Sequence, residues 1–341
     1  MTARADEKYA FETGVYRPPS EGGSNSLLVR LTRNCPWNRC TFCGMYKTEK
    51  FQVRSVAEIK KDIDAMAALR DDLAALARRS GQGGEIDHRA AIALIGKNPE
   101  LNQHPGFGMF YHWLLSGGKT VFLQDANSLI MKTDQLVEVL TYLRHTFPCI
   151  ARVTTYARSK TLVHKSLEDL KAIRRAGLDR LHVGLESGDD MVLDNVQKGA
   201  TAEIHIRGGR KALAAGFELS EYWMPGLGGK ARWQEHATQT ARVLSEIDPH
   251  YIRSRPFRAW TGTPLAREMA AQKFVMLTPA EQLRELRLTM QKLSVTGRVC
   301  FDHAGNHWKN RQGRLLLTHS YEGYKFPQEK QTVLDLIDDG L

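Results

Sequence analysis

The sequence predicts an α/β fold: a partial (βα)6 TIM-like barrel with a helical insertion after its first helix and an irregular C-terminal extension. Three observations carry that expectation. Strand-like stretches are followed by stretches of helical spacing six times over, and such alternation implies right-handed crossovers and a parallel sheet. The chain has 341 residues, a length that one barrel with insertions can fill. Hydrophobic residues make up 42% and charged residues 25%, the balance of a globular chain that can bury a core without disulfides.

Residues 1–24 are polar and Gly/Ser-rich and form an N-terminal arm. The barrel is expected over 25–295, with the insertion at 80–118, and the extension over 296–341. "SLLVRLT" (26–32) reads as the first strand and runs directly into Cys35. Ile59, Ile63, Met66, Leu73 and Leu76 recur at helical intervals behind Ser55, and Glu58 three residues on completes the pattern of a capping box. The insertion carries Gly/Pro punctuation and an aromatic patch, which predicts one or two short helices. Strand and helix then alternate: "KTVFLQD" with "TDQLVEVLTYLRHTF", "IARVTTY" with "SLEDLKAIRRAG", and "DRLHVGLE" with "TAEIHIRGGRKALAAG". "FELSEYWM" with "ARWQEHATQTARVLSEI" and "HYIRSRPF" with "TPAEQLRELRLTMQKLS" complete the series. A short amphipathic piece, "EKQTVLDLIDDGL", ends the chain.

No apolar run approaches the roughly 20 residues that span a bilayer, and the N-terminus lacks the apolar stretch of a signal peptide, so a cytoplasmic protein is expected. The net charge of +10 permits attraction to nucleic acid or acidic substrates, yet the basic residues are interleaved with acids, as on a solvated surface. Of five cysteines, Cys149 and Cys300 stand alone in apolar sequence and read as buried free thiols. Cys35, Cys40 and Cys43 crowd one stretch, "NCPWNRCTFCGMYK", which argues for a reduced compartment.

A structural zinc site takes four ligands, usually from two knuckles, and here there is one C-x2-C pair and one further cysteine; His303 or His307 would have to complete it. Heme attachment requires histidine after the pair, where Gly44 stands. A [4Fe–4S] cluster with three thiolates fits better, because it leaves one iron open.

The cysteine stretch, followed by "FQVRSVAEIKKDI", resembles a subgroup of the radical S-adenosylmethionine (SAM) superfamily with the motif CPxNRCxFCGMYK. Its C-x4-C-x2-C spacing is one residue longer than the usual C-x3-C-x2-C. "VFLQDANSLIM", "TYARSK", "GLESGDD", "GLGG", "GTPL" and "DHAGNHW" extend the resemblance over about 25–314. It implies an enzyme that binds a [4Fe–4S] cluster through Cys35, Cys40 and Cys43 and reductively cleaves SAM to make a radical. The leading reading adds a small-molecule substrate, small or medium-sized and, from the arginines of the sixth strand, anionic, with a one-electron reductant such as flavodoxin or ferredoxin. RNA as the substrate is an alternative reading, disfavoured because the chain carries no appended RNA-binding module or basic-aromatic stripe. A non-enzymatic zinc or RNA-binding protein is the other.

The resemblance also suggests a SAM pocket. Gln124 and Asp125 occupy the place of the superfamily's GGE-like motif, with Asp125 as the acid that contacts the methionyl amine; a helix-capping turn would use the same residues. Arg158 would hold the SAM carboxylate bidentately or else face solvent. Glu186, with Ser187 beside it, would project toward the ribose or else pair with an arginine in the scaffold. Gly226 and Gly228, in "GLGG", would let backbone approach the adenine, as they would in any tight turn. Arg253 and Arg255 share a strand face with Tyr251 and Phe257; pointing inward they imply an anion, in the substrate or on a neighbouring strand such as Glu218, and pointing outward they pair with helix carboxylates. His303, Asn306, His307 and Trp308 suggest a lid, or a surface loop.

Overall fold

The structure, a computed structural model, describes residues 8–15, 25–47, 49–79, 85–310 and 312–341. The rest of the expected N-terminal arm and residues 80–84 of the expected insertion lie outside the described residues. The chain divides into two compact units: Met1–Asn34, Lys50–Tyr156 and Lys171–Asp179 form the first, and Cys35–Glu49, Ala157–Leu170 and Arg180–Leu341 the second.

In the first unit, β1 (Leu27–Arg30) leads into β2 (Thr32–Arg33), which pairs antiparallel with β3 (Gln52–Val53). α1 (Val56–Arg79) buries Ile59, Ile63, Met66 and Leu73 as the spacing predicts, while Leu76 stays half-exposed. Its expected capping box is present: the Glu58 N–H donates to Ser55 Oγ at 3.2 Å and the Ser55 N–H to Glu58 Oε2 at 2.9 Å. These bonds hold the Glu58 carboxyl down at about 2. The insertion forms two short helices, α2 (His88–Lys97) and α3 (Phe107–Leu115). β4 (Thr120–Gln124), α4 (Thr133–Thr146) and β5 (Arg152–Ala157) follow, and β1, β4 and β5 pair in parallel in that order.

Next come α5 (Ser159–His164) and α6 (Leu167–Arg175). The second unit continues with β6 (Arg180–Glu186), α7 (Asp190–Asn195), α8 (Ala202–Ala214), β7 (Glu218–Trp223), α9 (Gly229–Ile247) and β8 (Tyr251–Ser254). α10 (Pro264–Ala270) and α11 (Pro279–Lys292) follow. β6, β7 and β8 are parallel neighbours. Leu181, Val183, Leu219 and Ile252 share one face of these strands, while Arg180, His182, Ser220, Tyr222 and Arg253 share the other.

The class is therefore α/β with mostly parallel strands, and each of the six predicted strands is present with a helix after it. The C-terminal extension contributes more than the sequence suggests. β9 (Arg298–Cys300) adds in parallel to β8, β10 (Tyr324–Lys325) caps it antiparallel, and α12 (Lys330–Asp338) follows. Cys300 is a buried thiol as expected, pushed up by burial to about 11. Cys149 corrects its expectation: it is exposed, in the turn after α4, with its thiol against Gly118 O at 3.3 Å. Pro148 before it ends the helical pattern and leaves the residue in a surface turn. No described helix is long and apolar enough to cross a membrane.

Candidate functional site

In the first unit, the β2–β3 ladder closes the neck of the loop that carries the cysteines. Asn34, immediately before Cys35, sits at φ 70°; its Nδ2 donates to Lys50 O at 2.7 Å and its N–H to Asp125 Oδ2 at 2.7 Å. The same Oδ2 accepts from Arg30 Nε at 3.0 Å and Nη2 at 2.7 Å. Asp125 is 1% exposed and Gln124 0%. Burial pushes the Asp125 carboxyl up, opposed by the Asn34 N–H and Arg30. The Gln124 amide closes a pair of bonds with the Gly14 backbone, at 2.8 and 3.0 Å. A Cβ on Gly14 would lie 2.2 Å from Asp125 Oδ1, so glycine alone passes there. Both residues are thus engaged by the protein itself, and Asp125 fixes the chain one residue ahead of the first cysteine.

The second unit holds the thiols. Cys35, Cys40 and Cys43 are free and half-buried. Burial pushes the Cys40 and Cys43 thiols up, and Cys35 adds to the rise in both. Among the described residues no three His, Cys, Asp or Glu groups converge on a single metal ion.

Arg158 follows β5 and is half-buried, with Nη2 donating to Lys198 O at 2.7 Å. Burial lowers its guanidinium, while Cys35, Cys40 and Glu186 act the other way. Glu186 ends β6 at φ 66°, beside a register shift in the β6–β7 ladder. Its Oε1 accepts from Lys198 Nζ at 2.8 Å, with side chains 15% and 12% exposed. A Cβ on Gly184 would lie 2.2 Å from that oxygen. The partner of Glu186 is therefore a lysine where the sequence suggested an arginine.

Ser187 is fully buried behind this loop. It accepts from the Asp189 N–H at 3.0 Å and shares a 2.7 Å bond with His236 Nδ1. His236 Nε2 lies 3.1 Å from Met224 O and 3.2 Å from Glu285 Oε1. Because Met224 O can only accept, Nε2 carries the proton and Nδ1 accepts from Ser187. Glu285 in turn accepts from the Gly226 N–H at 2.9 and 3.1 Å. Burial raises Glu285 to about 8 and lowers His236 to about 4, so at neutral pH the buried pair carries no net charge. This network joins the loop after β6 to the loop after β7. Gly226 uses its glycine freedom, at φ 88°, and Gly228 its lack of a side chain, since a Cβ would lie 2.8 Å from His236 Cβ. The sequence offered no sign of His236 or Glu285 beyond their positions on predicted helices.

The strand-face reading of Arg253 as inward holds: it is fully buried, stacked over the Tyr321 ring at 4.2 Å and the Tyr251 ring at 4.9 Å. Its counter-charge corrects the expectation of Glu218, which pairs with Arg180 at 2.7 Å. Asp302 stands 3.2 Å from both Arg253 and Arg255. Arg255 also lies over the Tyr222 ring at 4.7 Å, and Tyr222 bonds His182 at 2.9 Å. Phe257 leaves this face and joins an apolar cluster with Val192, Val196, Leu227 and Leu265. Asn306 is buried, donates to Ser254 O at 3.2 Å and accepts from Ser254 Oγ at 2.6 Å. Trp308 is also buried, so the segment is tied to β8 rather than a loose surface loop.

Residues 114–238 match the family model of the Radical SAM superfamily. The matched span is a domain of that superfamily. Its members use a [4Fe–4S] cluster and SAM, and the three thiols are a donor set that fits the cluster. No curated protein matches the chain. Among solved structures it is similar to the radical SAM methyltransferase TsrM from Kitasatospora setae, 16% identical, covering 72% of this chain and 39% of that one with TM-score 0.48. Another is coproporphyrinogen III oxidase (HemN) from Escherichia coli, 16% identical, covering 78% and 51% with TM-score 0.47. The chain thus spans about two fifths of the first and half of the second.

Proposed function

We propose that this enzyme holds a [4Fe–4S] cluster through Cys35, Cys40 and Cys43, reductively cleaves SAM there, and directs the radical at a small or medium-sized anionic metabolite. The observation that carries the reading is the set of three free, half-buried thiols on one short loop beside Arg158, Lys198 and Glu186. When bound, the cluster supplies the electron that opens the sulfonium of SAM. The chain's own groups bind and orient. Glu186 is the candidate for the ribose hydroxyls and Arg158 for the carboxylate of SAM. Ser187, Gly226 and Gly228 keep the two loops in place, and Asp125 with Gln124 steadies the neck of the cysteine loop. The anionic substrate is supported by the gathering of Arg253 and Arg255 beside Asp302. A flavodoxin or ferredoxin is the reductant class the chemistry needs.

The test is anaerobic reconstitution with iron and sulfide, incubation with SAM and dithionite, and identification of the nucleoside released. Wild-type protein is expected to release one SAM-derived nucleoside, and alanine at Cys35, Cys40 or Cys43 to abolish it while Cys149→Ala does not. Equal turnover by Cys35→Ala would refute the ligand set.

A further inference from the structure

The four residues between Cys35 and Cys40 are Pro36, Trp37, Asn38 and Arg39, one more than the usual spacing of the superfamily. Residues 196–199, just past α7, form a rail for this span. Their carbonyls accept in succession: Val196 O from the Thr41 N–H at 2.9 Å, Gln197 O from Trp37 Nε1 at 2.7 Å, and Lys198 O from Arg158 Nη2 at 2.7 Å. Gly199 comes next, at φ 70°, where a Cβ would lie 2.3 to 2.7 Å from Trp37 Cζ2, Cε2 and Cη2. The indole therefore rests directly on glycine backbone. Its ring is flanked by the guanidinium groups of Arg158 at 5.0 Å and Arg39 at 5.1 Å.

The span is also folded on itself. Asn38 is left-handed at φ 48°; its N–H points to Cys35 Sγ at 3.5 Å and its side chain donates to Tyr46 O at 2.5 Å. Lys47 Nζ ties Asn38 O at 2.9 Å to Cys40 O at 3.0 Å.

We infer that Trp37 and Gly199 form a lock that sets the separation of Cys35 and Cys40 across the lengthened span, making both positioning residues for the cluster. A thiolate loop with an extra residue has more conformations to lose when it closes on iron, and anchoring its middle removes them beforehand. Trp37 supplies the anchor, and Gly199 the bare backbone on which it rests. The inference rests on the three cysteines being the cluster ligands.

The test uses full-length Trp37→Leu, Gly199→Ala and Trp37→Phe, reconstituted anaerobically beside wild type and Cys35→Ala. Iron release to a chelator and the electron paramagnetic resonance spectrum of the reduced cluster are the readouts, with circular dichroism of the iron-free proteins to confirm folding. Trp37→Leu and Gly199→Ala should release iron about tenfold faster or more and alter the spectrum, the scale expected when groups that orient metal ligands are lost. Trp37→Phe, which keeps a ring on Gly199 but loses the indole N–H, should fall between. Gly199→Ala made on Trp37→Leu should add only the cost of alanine at a left-handed φ, because the clash with the indole has gone. Wild-type release rates and spectra in both single variants would overturn the lock. Undiminished cluster in Cys35→Ala would instead overturn the ligand assignment beneath it.

Discussion

Asp125 and Glu186 are the two acids that the sequence set at the SAM pocket, and the two units treat them in opposite ways. Asp125 is 1% exposed, its Oδ2 is taken by Arg30 and the Asn34 N–H, and its Oδ1 is buried against Gly14 without a hydrogen bond. Glu186 keeps 15% of its side chain exposed, has one bond to a lysine, and is turned by a left-handed backbone at a break in its ladder. A carboxylate sealed from solvent and gripped at one oxygen by its own protein holds structure, whereas one left partly exposed on a left-handed turn is available to a ligand. The same placement after a parallel strand can thus carry either task, and the partners decide which.

The largest effect that would break this comparison concerns Asp125. Asp125→Ala leaves the Arg30 guanidinium and the Asn34 N–H facing a vacated buried position, and is expected to destabilise the protein by about 3 to 5 kcal/mol in urea unfolding. Asp125→Asn, which can still accept from Asn34, should fold and bind SAM as wild type does in calorimetry. A tenfold loss of SAM affinity in that variant would return Asp125 to the pocket.

The pair behind the two loops gives the next effect. The folded protein keeps the Glu285 proton up to about pH 8, whereas the unfolded chain releases it near 4.5, so stability falls as pH rises through that window. The slope cannot exceed about 1.4 kcal/mol per pH unit for one proton. His236 works from the other side. Its folded value of about 4 lies below the ordinary 6.5, so its contribution is present above 6.5 and is lost as pH falls toward 4. Glu285→Gln keeps an oxygen for the Gly226 N–H and should flatten the decline between pH 6 and 8 in thermal unfolding. An unchanged profile would mean that Glu285 is ionised in the folded state.

Glu186→Ala is expected to have the smallest effect on stability, about 1 to 2 kcal/mol from leaving Lys198 without its partner. The same change should weaken SAM binding by about tenfold or more, the scale of one lost bond to a charged group. Lost stability with full SAM affinity would make Glu186 a scaffold residue like Asp125.

The sequence disclosed what is local. Strand and helix periodicities lie within single segments, so the six units and the Ser55–Glu58 capping box were legible, as was the three-cysteine stretch. β9 was not, because a strand of three residues in irregular sequence is defined by its pairing with β8. Partners separated by long stretches of chain were equally hidden. Trp37 meets Gln197 across 160 positions, and Gly226 meets Glu285 across 59. The acid at 125 could be read, but the Arg30 and Asn34 that engage it could not, and they decide its role.

The most direct test of the central claim is the electron paramagnetic resonance spectrum of the reduced, reconstituted protein before and after adding SAM, with iron and sulfide counted on the same sample. Three thiolates holding a cluster with one open iron predict about four irons and four sulfides per chain and a shift of the spectrum when SAM binds. One bound metal without sulfide, or a cluster whose spectrum SAM leaves unchanged, would contradict it.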